Sequence, residues 1–178
     1  AAARMPAESS LSGDSADLVA SMLTAGLDLN AMRWAALADT GSEAWGMLVL
    51  AAPNRTAMVE ASALESFYGN DESDESRKSA FLLAGLAGLE RISQESAGEF
   101  GKKLGVDLTR ETRWTRAISG SASVGNSALV ALLAGLGMQG EGWDKMTPLH
   151  LYHIVSALHR TGFDAEARMI AAEAVARG

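Results

Sequence analysis

The chain has 178 residues, of which 48% are hydrophobic and 21% are charged, so it can bury a core without disulfides or metals and is too apolar to be disordered throughout. Its formal net charge of -7 would repel a phosphate backbone, which argues against nucleic acid as a partner. The absence of cysteine excludes disulfides, thiolate nucleophiles and Cys-ligated zinc, but it leaves both the cytoplasm and the periplasm open.

The first residues are expected to form a disordered arm. Residues 1–13 are small and polar, are rich in serine and include Pro6, so they bury too little surface to offset the entropy of ordering. The chain starts at Ala1 rather than at a methionine, and we expect it to be a processed product or a fragment of a longer protein.

The remainder is predicted to be helical. From Ser15 onward, apolar residues recur at steps of three and four, and no alternation of period two is sustained. The pattern predicts a single all-α domain over residues 14–178, built as an array or bundle of short antiparallel helical hairpins, with a solenoid-like array as one alternative. The predicted helices span residues 15–25, 30–38, 42–52, 56–68, 74–91, 93–104, 109–119, 126–135, 148–161 and 164–177.

The longest apolar run, residues 128–138, is predicted to be a buried helix. It covers about half of the roughly 20 residues that a membrane-spanning helix needs, so no transmembrane segment is expected. Two polar segments, near residues 69–76 and 119–126, are expected to be flexible joints within the domain. The first contains the acidic residues 71–75, which we interpret as a solvated connector that places negative charge at the next helix start; an acidic docking site is the alternative.

Three turns share the form glycine, hydrophobic residue, aspartate: residues 26–28, 105–107 and 162–164. In such a turn the glycine takes the left-handed conformation that ends a helix, the hydrophobic residue folds back onto it, and the aspartate caps the next helix. The pattern therefore predicts helical hairpins. Around the first and third turns, five positions match in register: Asp28, Ala31, Trp34, Ala35 and Ala36 with Asp164, Ala167, Ile170, Ala171 and Ala172.

The last hairpin has the clearest signals. Thr147 is the expected N-cap, with Pro148 at the first helical position, and small residues on the final helix allow a close approach. This hairpin resembles the paired helices of tetratricopeptide-like α-solenoids over about 30 residues. The resemblance implies a helical-repeat shape that offers interaction surfaces, and it carries over no binding residue.

All three histidines fall in one predicted helix, where His150 and His153 share a face with Arg160 and His159 points away. Two histidines at this spacing bind zinc when a third ligand such as Asp144 joins them, but a His-Glu-x-x-His pattern is absent. The simplest interpretation is an exposed polar stripe. A metal site, and a pH-sensitive or partner-contacting surface, are the alternatives.

The most basic cluster, Arg110, Arg113 and Arg116, surrounds Trp114. A solvated helix face is the simplest interpretation, and a site for an anion or an acidic partner is the alternative. Tryptophan is expected to pack in the core or between helices, but an exposed one would be a strong candidate for a binding hot spot. The other tryptophans are Trp34, Trp45 and Trp143.

Signatures of catalysis are not found. The chain has neither a Gly-x-Ser-x-Gly elbow nor a Ser-x-x-Lys motif. The glycine-rich residues 135–142 follow a helix rather than a strand, so they lack the setting of a phosphate-binding loop. We therefore expect no catalytic residue, no cofactor and no metal.

These observations favour a non-enzymatic helical-repeat domain that binds another protein, or another region of its own full-length chain. One alternative is a small-ligand-binding or metal-binding helical domain, including an enzyme, that uses the His150 and His153 face. Another is a structural fragment of a processed secreted or envelope protein. The residues predicted to contact a partner are Arg110, Arg113, Trp114, His150, His153 and Arg160.

Overall fold

The computed structural model describes residues 2–53, 58–140 and 142–178, and within those ranges it contains helices and no strand. The predicted all-α fold is therefore confirmed. The α-helices are α1 Ser15–Thr24, α2 Asp28–Ala31, α3 Glu43–Ala51, α4 Ala61–Gly69, α5 Arg77–Gly88, α6 Gln94–Leu104, α7 Arg113–Ser123, α8 Ser127–Gly137, α9 Pro148–Arg160 and α10 Asp164–Arg177.

Helix α5 lies at the centre of the bundle. Residues 79–86 are all buried, and the helix contacts α3, α9 and α10. Helix α10 also packs against α1, α3 and α9. Helices α7 and α8 pack on each other and on α9, so their hairpin forms an outer layer at one edge of the bundle. No helix in the described part of the chain is long and apolar enough to cross a bilayer.

Most predicted helices match the structure to within a few residues, and the differences have local causes. The predicted helix 30–38 is the short α2 followed by a 3-10 turn, Met32–Trp34. The predicted helix 109–119 begins later, because the Thr112 hydroxyl accepts the backbone N–H of Thr115 at 3.1 Å and the Thr115 hydroxyl accepts that of Thr112 at 2.7 Å. The described residues do not include Ala1, Glu141 or the first two positions, 56 and 57, of the predicted helix 56–68.

Part of the second predicted joint is helical. Helix α7 continues through Gly120 to Ser123, and both Ser121 and Ala122 are buried. Packing of this turn against neighbouring helices outweighs the weak helix propensity of its glycine and serines. The chain then reverses at Gly125, where φ is +69°. At the other end of the chain, the 3-10 helices Ala2–Arg4 and Ser9–Asp14 lie against α1.

The glycines of the three repeated turns end their helices as expected. Gly26, Gly105 and Gly162 have φ values of +70°, +68° and +90°. In each turn the next residue donates its N–H to a carbonyl five residues earlier, at 2.8 to 3.0 Å. The predicted cap by the aspartate is wrong in all three turns, because no N-cap side chain caps α2 or α10 and Thr112 rather than Asp107 caps α7. The Asp164 carboxylate accepts hydrogen bonds from Arg168 and His159 instead.

The register match between the first and third turns extends only a short way. Ala31 and Ala167 are both fully buried. Trp34 is buried, whereas its counterpart Ile170 is half-buried. Ala35 is exposed, whereas its counterpart Ala171 is buried. The difference arises because the second arm of the first hairpin is four residues of α2 and a 3-10 turn, whereas α10 is a full helix of 14 residues.

Two buried arginines satisfy the C-terminal carbonyl groups of α3. Arg91, which is 6% exposed, follows the end of α5, and Arg168, which is 5% exposed, lies in α10. The last carbonyls of a helix have no partner within it. The guanidinium of Arg91 donates to the carbonyl oxygens of Val49, Leu50 and Ala52. That of Arg168 donates to the carbonyl oxygen of Ala51, so three distant segments are joined at one helix end.

Candidate interaction surface

A tight contact fixes α7 against α8. The indole Nε1 of Trp114 donates to the carbonyl oxygen of Leu133 at 3.3 Å. A Cβ atom added at Gly137 would lie 2.6 Å from that indole, so only glycine fits there. The start of α7 therefore lies beside the end of α8, as in an antiparallel hairpin.

Trp114 also contacts α9. Its ring lies edge-on to the ring of His150, with centroids 4.9 Å apart and an interplanar angle of 64°. The Nδ1 atom of His150 is 2.8 Å from the hydroxyl of Thr147, which caps α9 as predicted. Trp114 is half-buried, so it packs between helices rather than standing free in solvent.

His153 lies at the contact between α9 and α7. Its Nδ1 atom is 3.0 Å from the hydroxyl of Ser119, and its Nε2 atom is buried without a hydrogen-bond partner among the described residues. Burial lowers the pKa of His153, the charge of His150 lowers it further, and Glu111 raises it in part. The exposed stripe that was the simplest interpretation of the histidines therefore does not include His153, because α7 covers it.

The remaining predicted contact residues are exposed arginines. Arg110 precedes α7, Arg113 begins it, and Arg160 ends α9. Ten residues separate Arg160 from His150, which is about 15 Å along a helix, so Arg160 does not join the group around Trp114. The structure thus brings Trp114, His150 and His153 to the contact between α7 and α9, leaves Arg113 on the exposed side of α7, and leaves Arg160 apart.

The most distinctive surface feature was missed by the sequence prediction. The apolar helix α8 was expected to be buried, but only Val130 and Ala134 are. Leu129, Leu132 and Leu136 are 40%, 69% and 54% exposed, and their i, i+3, i+7 spacing places them on one face. The one sequence signal for this surface is that no residue from 117 to 140 carries a charge. Hydrophobic periodicity could not show that neighbours cover only one side of this helix.

The exposed face of α7 continues this apolar region. Arg113, Ala117 and Gly120 are exposed and recur at the spacing of one helix face, which Val124, 77% exposed, extends to the turn before α8. We define the α7/α8 surface as Ala117, Gly120, Val124, Leu129, Leu132 and Leu136. Arg113 borders it at the end where Trp114 meets Gly137.

A cavity of about 410 Å³ opens at the C-terminal end of α8. Leu136 belongs both to the α7/α8 surface and to the cavity lining. The charged residues of the lining are Lys145, Arg177 and Glu173, and the last two form an ion pair. The apolar lining is supplied by Leu136, Met138, Trp143 and Met146.

A second cavity, of about 530 Å³, lies at the start of α5 and includes part of the acidic stretch. Burial raises the pKa of Asp71, but hydrogen bonds from the hydroxyl and backbone N–H groups of Ser73 and Ser79 outweigh burial and hold it below its usual value. Lys78 pairs with Glu43 at 2.8 Å. The Asp71 carboxylate therefore binds the first turn of α5, and Lys78 pairs with the start of α3. These contacts agree with the interpretation of the stretch as a connector.

The histidine face carries little that points to chemistry. Within the residues described, no three His, Asp or Glu side chains are close enough to hold a metal ion. The Nδ1 atoms of His150 and His153 face the hydroxyls of Thr147 and Ser119. In comparisons with known proteins, no family model matches the chain, and no curated protein or solved structure is significantly similar to it.

Proposed function

We propose that this chain is a non-enzymatic interaction domain that binds another protein, or another region of its own full-length chain, through the α7/α8 surface. The main support is the row of leucines on the outer face of α8. Single exposed apolar residues are ordinary, whereas a contiguous exposed apolar patch is typical of a binding surface. The helical-repeat character suggested by the tetratricopeptide-like hairpin is part of the proposal, because such hairpins present helix faces to partners.

The six residues predicted from the sequence take different roles in this proposal. Arg113 borders the surface and contacts the partner. Trp114 and His150 hold α7 against α8 and α9 from beneath, since their rings are packed together. His153 supports α7 through Ser119. Arg110 lies near Arg113 in sequence, and Arg160 lies outside the surface.

A pair of matched variants tests the proposal. Leu132 is 69% exposed on α8 and Leu29 is 71% exposed in the short α2, so Leu132→Glu and Leu29→Glu change similarly exposed side chains at different places. Both variants should unfold in urea within about 0.5 kcal/mol of the wild type. Immobilised wild type and Leu29→Glu should capture the same proteins from extracts of the source cells, and Leu132→Glu should lose them. Identical capture by all three chains would refute the proposal.

A further inference from the structure

We infer that the partner is an amphipathic helix that lies along the α7/α8 surface with its acidic end beside Arg113. This inference rests on the proposed function and narrows the partner to one structural class. It is carried by the shape of the surface, by the cavity at its end and by the distribution of charge around it.

The shape of the surface suits a helix. The exposed leucines of α8 span seven residues, which is about 10 Å along the axis. Ala117 and Gly120 on α7, together with Gly135 on α8, are small and exposed, so a second helix can approach to about 8–10 Å between axes. A partner with apolar residues at i, i+3 or i+4, and i+7 would match this row. The described residues contain no strand that could offer an edge to an extended peptide.

The cavity offers a place for an anchoring side chain. Its volume of about 410 Å³ is within the range of pockets that hold a buried ligand group. Methionine side chains adapt to the shape of an inserted group, and Met138 and Met146 both line this cavity. One large side chain near the end of the partner helix would therefore fit here, packed against Met138 and Met146.

The charged residues near the α7/α8 surface favour a partner with an acidic end. The surface itself is uncharged over residues 117–140, and the exposed side chains of Arg110, Arg113 and Arg116 stand where α7 begins. Glu111 is the one acidic residue among residues 110–116, so this end of α7 is basic, whereas beside the cavity Lys145 is offset by Asp144, which lies against Gly142 of the lining. Complementary charge raises the association rate and fixes the orientation of a partner. An acidic residue near the anchoring side chain would meet this basic end.

Two other occupants fit less well. A second copy of the chain would contribute about 20–30 residues on each side of a standard interface, whereas the α7/α8 surface is defined by six residues. An interfacial membrane helix usually carries lysine or arginine on its polar face, whereas α8 has no charged residue at all. A short helical segment matches both the size of the surface and the placement of its charges.

The test is selection from a library of randomised helical peptides displayed on phage, with the full chain as target and counter-selection on Leu132→Glu. Selected peptides should carry the i, i+3 or i+4, i+7 apolar row and an excess of Asp and Glu at one end. Arg113→Glu should weaken their binding about tenfold, and added salt should weaken it as well. The matched control, Arg160→Glu, reverses an exposed arginine outside the surface and should leave binding unchanged.

The outcomes separate this inference from the proposed function. Selected peptides without an acidic end, or with binding insensitive to Arg113→Glu, would overturn the inference and leave the proposed function standing. Failure to select any peptide dependent on Leu132 would also overturn it, and the capture experiment alone would then decide the proposed function. The inferred helical partner would also be overturned if the chain formed a dimer in sedimentation, or bound vesicles of phosphatidylcholine and phosphatidylglycerol, and if Leu132→Glu abolished that association.

Discussion

Asp28 and Asp164, the acidic residues of the first and third repeated turns, face the same guanidinium group. The Nε atom of Arg168 donates to Asp164 Oδ2 at 2.8 Å, and its Nη1 atom lies 3.7 Å from Asp28 Oδ2. Nη1 also donates to the carbonyl oxygen of Ala51 at the end of α3. Two turns that are remote in sequence therefore meet at one buried side chain, which links α2, α3 and α10.

Replacing that side chain should destabilise the fold strongly. Arg168→Met keeps much of the apolar stem but removes the donor to the Ala51 carbonyl and to Asp164, and the positive charge that faces Asp28. We expect the free energy of unfolding to fall by about 2–4 kcal/mol in urea denaturation. Arg177→Met is the control, because Arg177 is 56% exposed and, among the described residues, pairs with Glu173 on its own helix, a contact worth at most about 0.5 kcal/mol. Equal effects of the two changes would show that the buried network adds no stability.

The start of α5 allows a second matched comparison. Asp71 accepts the N–H and hydroxyl of Ser73, as Asp107 does from Thr109, but Asp71 also accepts both donors of Ser79 in α5. Asp71→Asn should lower the unfolding free energy at pH 7 by about 1–2 kcal/mol, as the loss of a helix cap does. Asp107→Asn should have a smaller effect, because Asp107 is exposed and caps no helix.

At low pH, the contribution of Asp71 to the free energy of unfolding should be lost. Its pKa is lower in the folded chain than in the unfolded chain, because the hydrogen bonds from Ser73 and Ser79 outweigh burial. The stabilisation by the ionised carboxylate is therefore complete above the unfolded pKa, about 3.9, and is lost as the pH falls through the lower, folded pKa. The difference in unfolding free energy between wild type and Asp71→Asn should therefore become smaller over this acid range. A difference that stays constant from pH 7 to pH 2.5 would contradict the assignment.

Helix positions could be predicted because their signals are local. The cap and proline at Thr147 and Pro148 fixed the start of α9, and the left-handed glycines fixed several helix ends. The joint predicted near residues 119–126 failed in part, because burial of Ser121 and Ala122 by tertiary neighbours overrides a weak local propensity. The same limit applies to Arg91, whose acceptors at the end of α3 lie some 40 residues away in sequence.

The candidate surface depended on information that no single helix contains. The run around Leu132 is apolar on every side, so its composition alone favours burial. Whether the outer side is covered depends on which helices pack against it, and here only α7 and α9 do so extensively. The cluster at Trp114 was predicted as a contact site because it holds aromatic and basic residues. The ring of Trp114 packs on His150 and Gly137, so tryptophan packs between helices as expected, but the sequence could not place these residues together.

The contact between Trp114 and Gly137 should make α8 sensitive to a single methyl group. A Cβ atom at Gly137 would lie 2.6 Å from the indole, whereas one at Gly135 meets nothing within 4 Å. Gly137→Ala should lower the unfolding free energy by about 1–3 kcal/mol, because the tryptophan must shift. Gly135→Ala should instead raise it by about 0.5–1 kcal/mol through helix propensity. Tryptophan fluorescence should change in the first variant and not in the second, and the same response in both would exclude a tight contact.

The half-buried position of His153, whose Nε2 atom is buried, predicts a pH dependence of stability with a definite sign. Its folded pKa is lowered by burial and by His150, with a partial offset from Glu111, so between this pKa and the unfolded value of about 6.5 the unfolded chain binds more protons. Stability is therefore full above pH 6.5 and falls as the pH drops through that window. His153→Gln should remove this component, and His150→Gln should reduce it by raising the pKa of His153. Urea titrations between pH 7.5 and 5 measure the effect, and a wild type and His153→Gln with the same pH dependence would show that His153 stays solvated.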